Sequence, residues 1–388
     1  MLPKKLGERL EARKQENALR SLPEGTDLID FSSNDYLGFS KNINLFQRAT
    51  SLCKKANCEY SGATGSRLLS GNHELYALAE TKIANFHNTE DAIIFNSGYD
   101  ANIGFFSSVP QRGDLVLYDA LIHASIRDGI RMGAAKAFKY AHNNIEDIKE
   151  IVGRVKEEYS EIYVVTESIF SMDGDTPDLD ALCALCAEYN LHLVVDEAHA
   201  VGVVGIAGVG MVQELGLQRG VFARVVTFGK ALGCHGAAIL GSSELKKYLI
   251  NFARSVIYTT GLPPHSVATI LASYEQLEFH IPTTSGERSH PLLLQLRGHI
   301  QFFKSKLEEH KIADHFVESN AAIQSCLVSG NDRVKQLSMV LQAEGFDVKP
   351  ILAPTVRQGE ERLRICLHSY NTKPQIEKLI SLITKYVS

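Results

Sequence analysis

The sequence predicts an α/β protein, with an open sheet between helices and a small α+β unit at the C-terminal end. Short apolar runs typical of buried strands alternate with stretches whose apolar residues recur at helical spacing. Polar and glycine-rich turns follow several of these runs, as in sheets whose strands are connected by helices. The strand-like runs lie at residues 92–95, 114–117, 162–166, 193–196, 225–226 and 236–240.

The chain length predicts two domains, because 388 residues are long for one core. A proline, threonine, serine and glycine segment at residues 282–286 interrupts a helical pattern and is the best linker candidate. The predicted organisation is an N-terminal arm at residues 1–40, a large domain at 41–281 and a small domain at 282–388. We expect the arm to complete the small domain.

The composition argues against several classes of protein. A net charge of −5 gives no electrostatic footprint for nucleic acid or for an anionic membrane. No apolar run approaches the roughly 20 residues that span a bilayer, and the N-terminus lacks the apolar segment of a signal peptide. Seven cysteines, an odd number in a long chain, argue against a disulfide framework. We therefore expect a cytoplasmic protein.

The N-terminal part of the chain combines helical patterns with a loop that suits a ligand. Charged helical spacing covers residues 6–19, a short strand is expected near 27–31, and a helix covers 73–86. Between them, residues 61–71 are rich in glycine and hydroxyl groups, which lets the backbone approach a ligand closely. A flexible surface loop has the same composition, so both interpretations stay open here.

Two strand ends offer candidate binding groups. The strand at 92–95 enters a helix through Ser97 and Gly98, where free backbone N–H groups can face an anion such as phosphate. Strand–turn–helix units without a phosphate site are also common. The loop after strand 114–117 contains His123, on the side where open α/β sheets bind their ligands.

The strongest chemical signal is the pair of strand ends at Asp196 and Lys230. A lysine just past a buried strand loses hydration, which favours the neutral, nucleophilic amine. Asp196 ends another apolar strand, and His199 follows it by three residues. These three side chains suit pyridoxal 5′-phosphate, because the lysine can form a Schiff base while the acid pairs with the protonated pyridine nitrogen.

Other motifs carry less weight. Cys183 and Cys186 lie on an apolar helix without a second pair or a histidine-rich loop, so core packing is favoured and no metal site is expected. The glycines at 202–210 lack the spacing of a dinucleotide-binding loop, and the residues around Lys230 lack that of a phosphate-binding P-loop.

The C-terminal part predicts a strand at 322–328, a helix at 332–343 with Val334, Leu337, Val340 and Leu341 inward, and an alternating strand at 362–367. Thr372 and Gln375 form a capping box for the last helix. Strict alternation places Arg362 and Arg364 together on the face opposite the apolar residues, where a guanidinium can bind a carboxylate through two bonds.

Together these motifs resemble those of the α-oxoamine synthases, which belong to the fold type I pyridoxal-phosphate enzymes. The resemblance runs nearly from end to end. It implies the transferase fold of that type, with a mostly parallel seven-stranded sheet in the large domain and a small C-terminal α+β domain. The matching segments are residues 33–38, 66–71, 123–125, 170–175, 196–199, 227–230, 354–356 and 362–364.

The resemblance also implies roles for individual residues. Lys230 would form the Schiff base, Asp196 would pair with the ring nitrogen, His199 would bond to the phenolic oxygen and His123 would stack on the ring. The other implied cofactor residues are Gly98, Tyr99, Ser171, Thr227 and, reaching a partner chain, Thr260. The implied substrate residues are Arg20, Asn34, Ser66, Thr355 and Arg364.

The activity implied is the decarboxylative condensation of an amino acid with an acyl-CoA or acyl-carrier-protein thioester, carried out by a homodimer. The motifs are most similar to the branch that joins L-alanine to pimeloyl thioesters, giving 8-amino-7-oxononanoate for biotin synthesis. Ser66 favours alanine, because the threonine usual in aminolevulinate synthases would crowd its methyl group. Arg20 could meet the distal carboxylate of the acyl chain or a CoA phosphate.

Several alternatives stay open. Glycine with acetyl-CoA or succinyl-CoA, and serine with a long-chain acyl-CoA, are rival substrate pairs within the family. Glu197 and Arg67 depart from the pattern of some relatives, which keeps these rival substrates open. An aminotransferase would share Lys230 and Asp196, and a non-enzymatic binding module on the same fold is the third possibility.

Overall fold

The computed structural model describes residues 2–22, 27–279, 281–282 and 288–387. The chain divides into two compact units. The sheet unit consists of Asp35–Ser171 and Thr176–Leu294. The terminal unit consists of Met1–Asn34, Met172–Asp175 and Gln295–Ser388. Of the linker expected at 282–286, residues 283–286 lie outside the described residues.

The sheet unit contains a mixed sheet of seven strands, in which four strand pairs are parallel. The strands are β2 (Asp91–Phe95), β3 (Leu115–Asp119), β4 (Lys136–Tyr140), β5 (Ile162–Glu167), β6 (His192–Asp196), β7 (Ala223–Thr227) and β8 (Ala237–Gly241). Their order in the sheet is β2-β8-β7-β6-β5-β3-β4, and β8 is antiparallel to both of its neighbours. The mostly parallel seven-stranded sheet is therefore confirmed. The unit also holds the two-residue antiparallel pair β9 (Ile281–Pro282) and β10 (Arg288–Ser289).

Helices lie on both faces of this sheet, and apolar clusters fill the space on each side. One cluster includes Phe105 and Ile126, and the other includes Ile148 and Leu182. Burial on both faces explains why the inner strands are apolar at nearly every position. The helices are α2 (Ile43–Lys55), α3 (Glu74–Phe86), α4 (Gly98–Ser108), α5 (Ala124–Met132), α6 (Ile145–Val155), α7 (Leu179–Tyr189), α8 (Met211–Glu214), α9 (Ser243–Phe252), α10 (Arg254–Ile257) and α11 (Pro264–Leu277).

The edge strand β4 was not predicted from the sequence. It lies at the end of the sheet, paired only with β3, and its lysines Lys136 and Lys139 are exposed. An edge strand needs only partial burial, so its sequence lacks the apolar run that identifies the inner strands.

The parallel strands bring polar residues to one edge of the sheet. Asp119, Glu167, Asp196 and Thr227 are the last residues of β3, β5, β6 and β7. Glu167 and Asp196 are partners in the register of β5 and β6. Because these strands are parallel, their carboxyl ends meet at a single edge, which is where open α/β sheets bind ligands.

The terminal unit has two small sheets. One is the parallel pair of β1 (Ile29–Asp30) and β12 (Phe346–Asp347). The other is antiparallel and contains β11 (Ile323–Leu327), β13 (Lys349–Ile351) and β14 (Arg362–Cys366), with β14 in the middle. The helices are α1 (Lys4–Gln15), α12 (Pro291–Glu309), α13 (Asn331–Ala343) and α14 (Lys373–Val387), and α12 begins in the sheet unit and continues into the terminal unit.

Local sequence signals in this unit have mixed outcomes. The capping box is present, since the Thr372 N–H donates to Gln375 Oε1 at 2.8 Å and the Gln375 N–H to Thr372 Oγ1 at 3.4 Å. The inward assignment of Val340 is wrong, because its side chain is 43% exposed on α13. Every residue of β14 is buried, so its polar face is covered as well as its apolar face.

The state of the cysteines and the length of the helices bear on two further expectations. All seven cysteines are free thiols in the structure, and burial raises the pKa of Cys186 to about 12. The Cys183–Cys186 pair therefore packs as ordinary thiols. Among the described residues, no helix combines the length and the apolar character required to cross a bilayer.

Candidate cofactor site

The carboxylate of Asp196 lies at the centre of the polar edge of the sheet unit. It is 6% exposed, and its two oxygens accept separate hydrogen bonds. Oδ1 accepts the Ala198 N–H at 2.9 Å, and Oδ2 accepts Nδ2 of Asn102 at 2.9 Å. A carboxylate has about four acceptor positions, so Asp196 retains capacity for a protonated ring nitrogen.

His199 lies in the loop after Asp196, and its imidazole contacts a tyrosine for which the sequence predicted no individual role. Nδ1 of His199 lies 2.8 Å from the hydroxyl of Tyr36, which is 1% exposed. Thr227 lies beside this loop, and its hydroxyl donates to the Ala198 carbonyl at 3.4 Å. Tyr36 lies within the matching segment 33–38, where it is an aromatic residue among polar and turn-forming ones.

His123 is anchored where its loop enters α5. Its N–H donates to Glu167 Oε1 at 2.5 Å, and Nδ1 lies 2.7 Å from the hydroxyl of Ser125. The pKa of His123 is lowered, chiefly because the surrounding protein removes hydration. The charge of Asp196 opposes this effect, and the charge of Lys230 reinforces it. A neutral ring suits stacking on an aromatic cofactor.

Glu167 is a second buried carboxylate at this edge, and no role was predicted for it from the sequence. Complete burial raises the pKa of Glu167 to about 8, and the neighbouring negative charge of Asp196 acts in the same direction. Hydrogen bonds from the N–H groups of His123 and Ser171 and the charge of Lys230 act in the opposite direction. Glu167 therefore links the loop of His123 to the loop of Ser171.

Replacing Glu167 with glutamine should change how stability depends on pH. Between about pH 4.5 and 8, folded Glu167 keeps its proton while the unfolded chain releases it, so the folded state loses stability as pH rises. Glutamine can accept the same N–H groups without titrating. Urea unfolding should therefore show that wild type loses stability relative to Glu167→Gln between pH 5 and 8. The control is Glu157→Gln, which changes an exposed glutamate. If the difference in unfolding free energy between wild type and Glu167→Gln stays constant over this pH range, as it should for the control, the raised pKa assigned to Glu167 is wrong.

The turn between β2 and α4 has the features of an anion site. Ser97 caps the helix by accepting the Asp100 N–H, and Gly98 and Tyr99 occupy its first turn. A Cβ atom on Gly98 would lie 2.6 Å from Cγ2 of Thr227, so the close approach of these two strand ends requires glycine. N–H groups of an α-helix N-terminus are donors that suit phosphate. The hydroxyl of Thr227 can add another by rotating away from the Ala198 carbonyl, to which its bond is long at 3.4 Å. The hydroxyl of Tyr99 donates to Asp128 at 2.6 Å.

Lys230 follows β7 in a compact turn. The Gly233 N–H donates to the Lys230 carbonyl at 2.8 Å, and the Cys234 N–H donates to the Phe228 carbonyl at 2.8 Å. Phe228 is fully buried and fixes the start of the turn, while Lys230 itself is partly buried. The positive charge of Lys230 acts on both Glu167 and His123. The structure therefore groups a lysine amine, two carboxylates and an imidazole at one sheet edge.

The glycine-rich run and the segment around Thr260 are joined to each other. The Gly261 N–H donates to the Gly65 carbonyl at 2.9 Å, beside Ser66. The Thr260 carbonyl accepts Nδ2 of Asn96 at 2.7 Å, while its side chain is exposed. The flexible-loop alternative for residues 61–71 thus gives way to a loop with specific backbone contacts.

The terminal unit holds the other expected substrate residues. Arg364 is 8% exposed, and its guanidinium donates to Asn34 Oδ1 at 2.9 Å and to Cys366 Sγ at 3.0 Å. Arg362, which the alternation places on the same face of the strand, forms a buried ion pair with the carboxylate of Asp173. Arg20 donates to the Thr355 hydroxyl at 3.1 Å on the exposed surface.

The donor and acceptor types present match the groups of pyridoxal 5′-phosphate. An amine at Lys230 suits its aldehyde, the carboxylate of Asp196 suits its protonated ring nitrogen, and the α4 N-terminus suits its phosphate. The close approach of Gly98 to Thr227 supports this fit, because a Cβ atom at residue 98 would meet Cγ2 of Thr227 at 2.6 Å and would push the α4 N-terminus away from that hydroxyl.

Comparison with known proteins gives a consistent family assignment. The family model described as aminotransferase class I and II matches residues 26–383. The chain is 38% identical over 372 residues to an 8-amino-7-oxononanoate synthase of Emericella nidulans, covering 92% of this chain and 89% of that protein. It is also similar to two solved structures. A serine palmitoyltransferase with a PLP internal aldimine has a TM-score of 0.84 at 26% identity, covering 94% of this chain and 88% of that one. An 8-amino-7-oxononanoate synthase of Francisella tularensis has a TM-score of 0.74 at 29% identity, covering 93% and 98%.

Proposed function

Because the chain belongs to the class I and II aminotransferase family and, within it, to the α-oxoamine synthases, we propose that its substrates are L-alanine and a pimeloyl thioester. The protein is a C-acyltransferase that uses pyridoxal 5′-phosphate. In the proposed reaction, the Cα of alanine forms a bond to the thioester carbonyl carbon. The thiol leaves, carbon dioxide is lost from the alanine carboxylate, and one proton is taken up to give 8-amino-7-oxononanoate.

The grouping of Lys230, Asp196 and His123 at one sheet edge is the observation that carries the proposed mechanism. Bound pyridoxal 5′-phosphate supplies an electron sink that stabilises negative charge at the substrate Cα. The amine of Lys230 would remove the Cα proton and later return one, as a general acid–base group. The carboxylate of Asp196 would hold a proton on the ring nitrogen, and His199 would donate to the phenolic oxygen.

The remaining assigned residues would orient the cofactor and substrates. The N–H groups of Gly98 and Tyr99 would bind the phosphate together with the hydroxyls of Ser171 and Thr227. In the terminal unit, Arg364 would bind the amino-acid carboxylate, and its bond to Asn34 holds the guanidinium in a fixed orientation. The other proposed substrate residues are Arg20, Ser66 and Thr355.

The choice of alanine rests on similarity to proteins named for the alanine-derived product and on Ser66. A serine at this position leaves room for one methyl group, where threonine would crowd it. Discrimination of one methyl is worth on the order of 1–3 kcal/mol, so measurable turnover with glycine or serine is expected. A serine palmitoyltransferase-like or glycine C-acetyltransferase-like activity is the alternative within the family, because serine palmitoyltransferases are among the similar structures.

A substrate panel tests this proposal. Alanine, glycine and serine should each be combined with acetyl-CoA, succinyl-CoA, pimeloyl-CoA, pimeloyl-carrier protein and palmitoyl-CoA, and kcat/KM measured from thiol release. Alanine with one of the pimeloyl thioesters should give the highest value. A higher value for serine with palmitoyl-CoA would overturn the substrate assignment and leave the reaction class intact. The matched variant Ser66→Thr should reduce kcat/KM for alanine more than for glycine.

We also propose that the protein is a cytoplasmic homodimer. Apolar side chains are exposed on the glycine-rich loop at 61–71 and on the segment around Thr260, which are joined by a backbone hydrogen bond. They are Leu68 (50% exposed), Leu69 (85%) and Tyr258 (72%). An apolar surface of this kind is typical of a protein–protein interface. Light scattering should give twice the chain mass of 42.8 kDa. A fully active species of 42.8 kDa would contradict the proposal.

A further inference from the structure

A chain of hydrogen bonds connects the carboxylate of Asp196 to the imidazole of His123. Nδ2 of Asn102 donates to Asp196 Oδ2 at 2.9 Å and to Ser125 Oγ at 3.0 Å. Ser125 Oγ lies 2.7 Å from His123 Nδ1. Asn102 lies on α4 and is 2% exposed, while Ser125 lies on α5 and is fully buried. Neither residue was expected to have a role from the sequence.

The direction of the bonds in this chain follows from its first member, Asp196, together with the backbone N–H of Ser125 at its other end. An ionised carboxylate only accepts, so the Asn102 amide must present its nitrogen to Asp196. The same nitrogen then donates to the hydroxyl oxygen of Ser125. Because that oxygen accepts from Asn102, the Ser125 hydrogen is available to donate to His123 Nδ1. The Ser125 N–H also points to Nδ1, at 3.3 Å.

This arrangement determines where the imidazole carries its proton. A ring nitrogen that accepts from the Ser125 hydroxyl and backbone cannot carry a hydrogen itself, so a neutral His123 has its proton on Nε2. We infer that Asn102 and Ser125 are positioning residues, which hold the Asp196 carboxylate and keep His123 in the Nε2–H tautomer. The inference rests on the proposed function in taking Asp196 and His123 as cofactor residues.

The side-chain oxygen of Asn102 supports these hydrogen-bond directions. Asn102 Oδ1 is buried without a hydrogen-bond partner in the structure. An unsatisfied buried acceptor is unfavourable, so the two bonds made by Nδ2 must determine the amide orientation. Rotating the amide by 180° would place its oxygen against Asp196 and Ser125, and repulsion with the carboxylate oxygen would disfavour it.

Close packing of α4 against α5 makes the chain possible. A Cβ atom on Gly129 of α5 would lie 2.7 Å from the backbone carbonyl oxygen of Asn102 and 2.9 Å from Cβ of Phe106. Glycine therefore lets the two helices approach until Ser125 and Asn102 are within hydrogen-bond distance. The lowered pKa of His123 agrees with a neutral ring, with Asp196, Lys230, Arg127 and Asp128 as its charged neighbours.

The tautomer can be measured directly by nitrogen-15 NMR of the full-length protein with labelled histidine, both without cofactor and loaded with pyridoxal 5′-phosphate. His123→Gln assigns the resonances of His123. We expect Nδ1 to show the chemical shift of an unprotonated nitrogen and Nε2 that of an N–H. The variant Ser125→Ala should shift His123 toward a mixture of tautomers and weaken cofactor binding about threefold to tenfold. Asn102→Ala should weaken cofactor binding more than Ser125→Ala does, because it also releases Asp196.

Ser108→Ala is the matched control. Ser108 also lies on α4, is buried, and donates to the Gly104 carbonyl at 2.6 Å, outside the chain from Asp196 to His123. This variant should leave the His123 resonances and the cofactor affinity unchanged. The inference fails if wild-type His123 carries its proton on Nδ1, or if Ser125→Ala behaves like Ser108→Ala. Because the tautomer is also measured without cofactor, that result stands apart from any failure to observe the proposed condensation.

Discussion

Replacing Lys230 with alanine should remove turnover, with kcat reduced on the order of 10³-fold or more. The variant loses the amine that links the cofactor to the chain and the general base for the Cα proton, a role that alone contributes about 10²–10⁴-fold. Wild-type protein treated with pyridoxal 5′-phosphate and borohydride should carry the cofactor on Lys230, identified by peptide mass. Lys230→Ala should bind the cofactor only non-covalently.

The control for Lys230 is Lys247→Ala, which removes an exposed lysine from α9 of the same unit. It should keep both turnover and covalent labelling at Lys230. Normal turnover of Lys230→Ala, or borohydride labelling of another lysine, would remove Lys230 from the mechanism.

The substitution Asp196→Asn should have the second-largest effect. Asparagine keeps the shape of the side chain, but it cannot hold a proton on the ring nitrogen through a charged interaction. The new asparagine amide also weakens the contact with Nδ2 of Asn102, because it offers either an N–H group, which cannot accept, or an uncharged oxygen in place of the carboxylate. We expect kcat to fall about 10²–10⁴-fold while cofactor still binds, because stabilisation of charge at Cα is lost.

Asp119→Asn is the matched control for Asp196. Asp119 ends β3 at the same edge, is fully buried, and accepts from the N–H groups of Leu121 and Asn143. Asp119→Asn should reduce stability and retain most of the turnover per folded molecule. If both variants lose the same small factor in kcat, the negative charge at Asp196 has no special role at the ring nitrogen.

The fold could be predicted from the sequence wherever burial imposed a clear pattern. The inner strands of the sheet are covered on both faces, so runs such as those ending at Asp196 and Thr227 are almost wholly apolar and easily recognised. The edge strand β4 has no such constraint and was missed. Val340 was wrongly placed in the core, because helical spacing alone does not set the width of the buried face.

Candidate site residues could be proposed from the sequence where a charged side chain follows directly on an apolar strand. A lysine or a carboxylate at the end of a buried strand loses hydration and needs a partner, which is why Lys230 and Asp196 were proposed as site residues. Glu167 and Asp119 end their strands in the same way, so this position alone does not separate a cofactor residue from a structural carboxylate. Glu167, Asn102 and Tyr36 were missed, because their importance arises from contacts between residues distant in sequence. The same limit explains Arg362, whose partner Asp173 could not be identified from strand alternation.

The most direct test of the proposed reaction follows carbon and sulfur together. L-alanine labelled with carbon-13 in its carboxylate is incubated with pimeloyl-CoA and enzyme loaded with pyridoxal 5′-phosphate. We expect one labelled carbon dioxide and one free CoA thiol for each molecule of 8-amino-7-oxononanoate formed, and none of them with Lys230→Ala. Formation of labelled pyruvate that depends on an added keto acid, without carbon dioxide or thiol, would instead show an aminotransferase and contradict the proposed condensation.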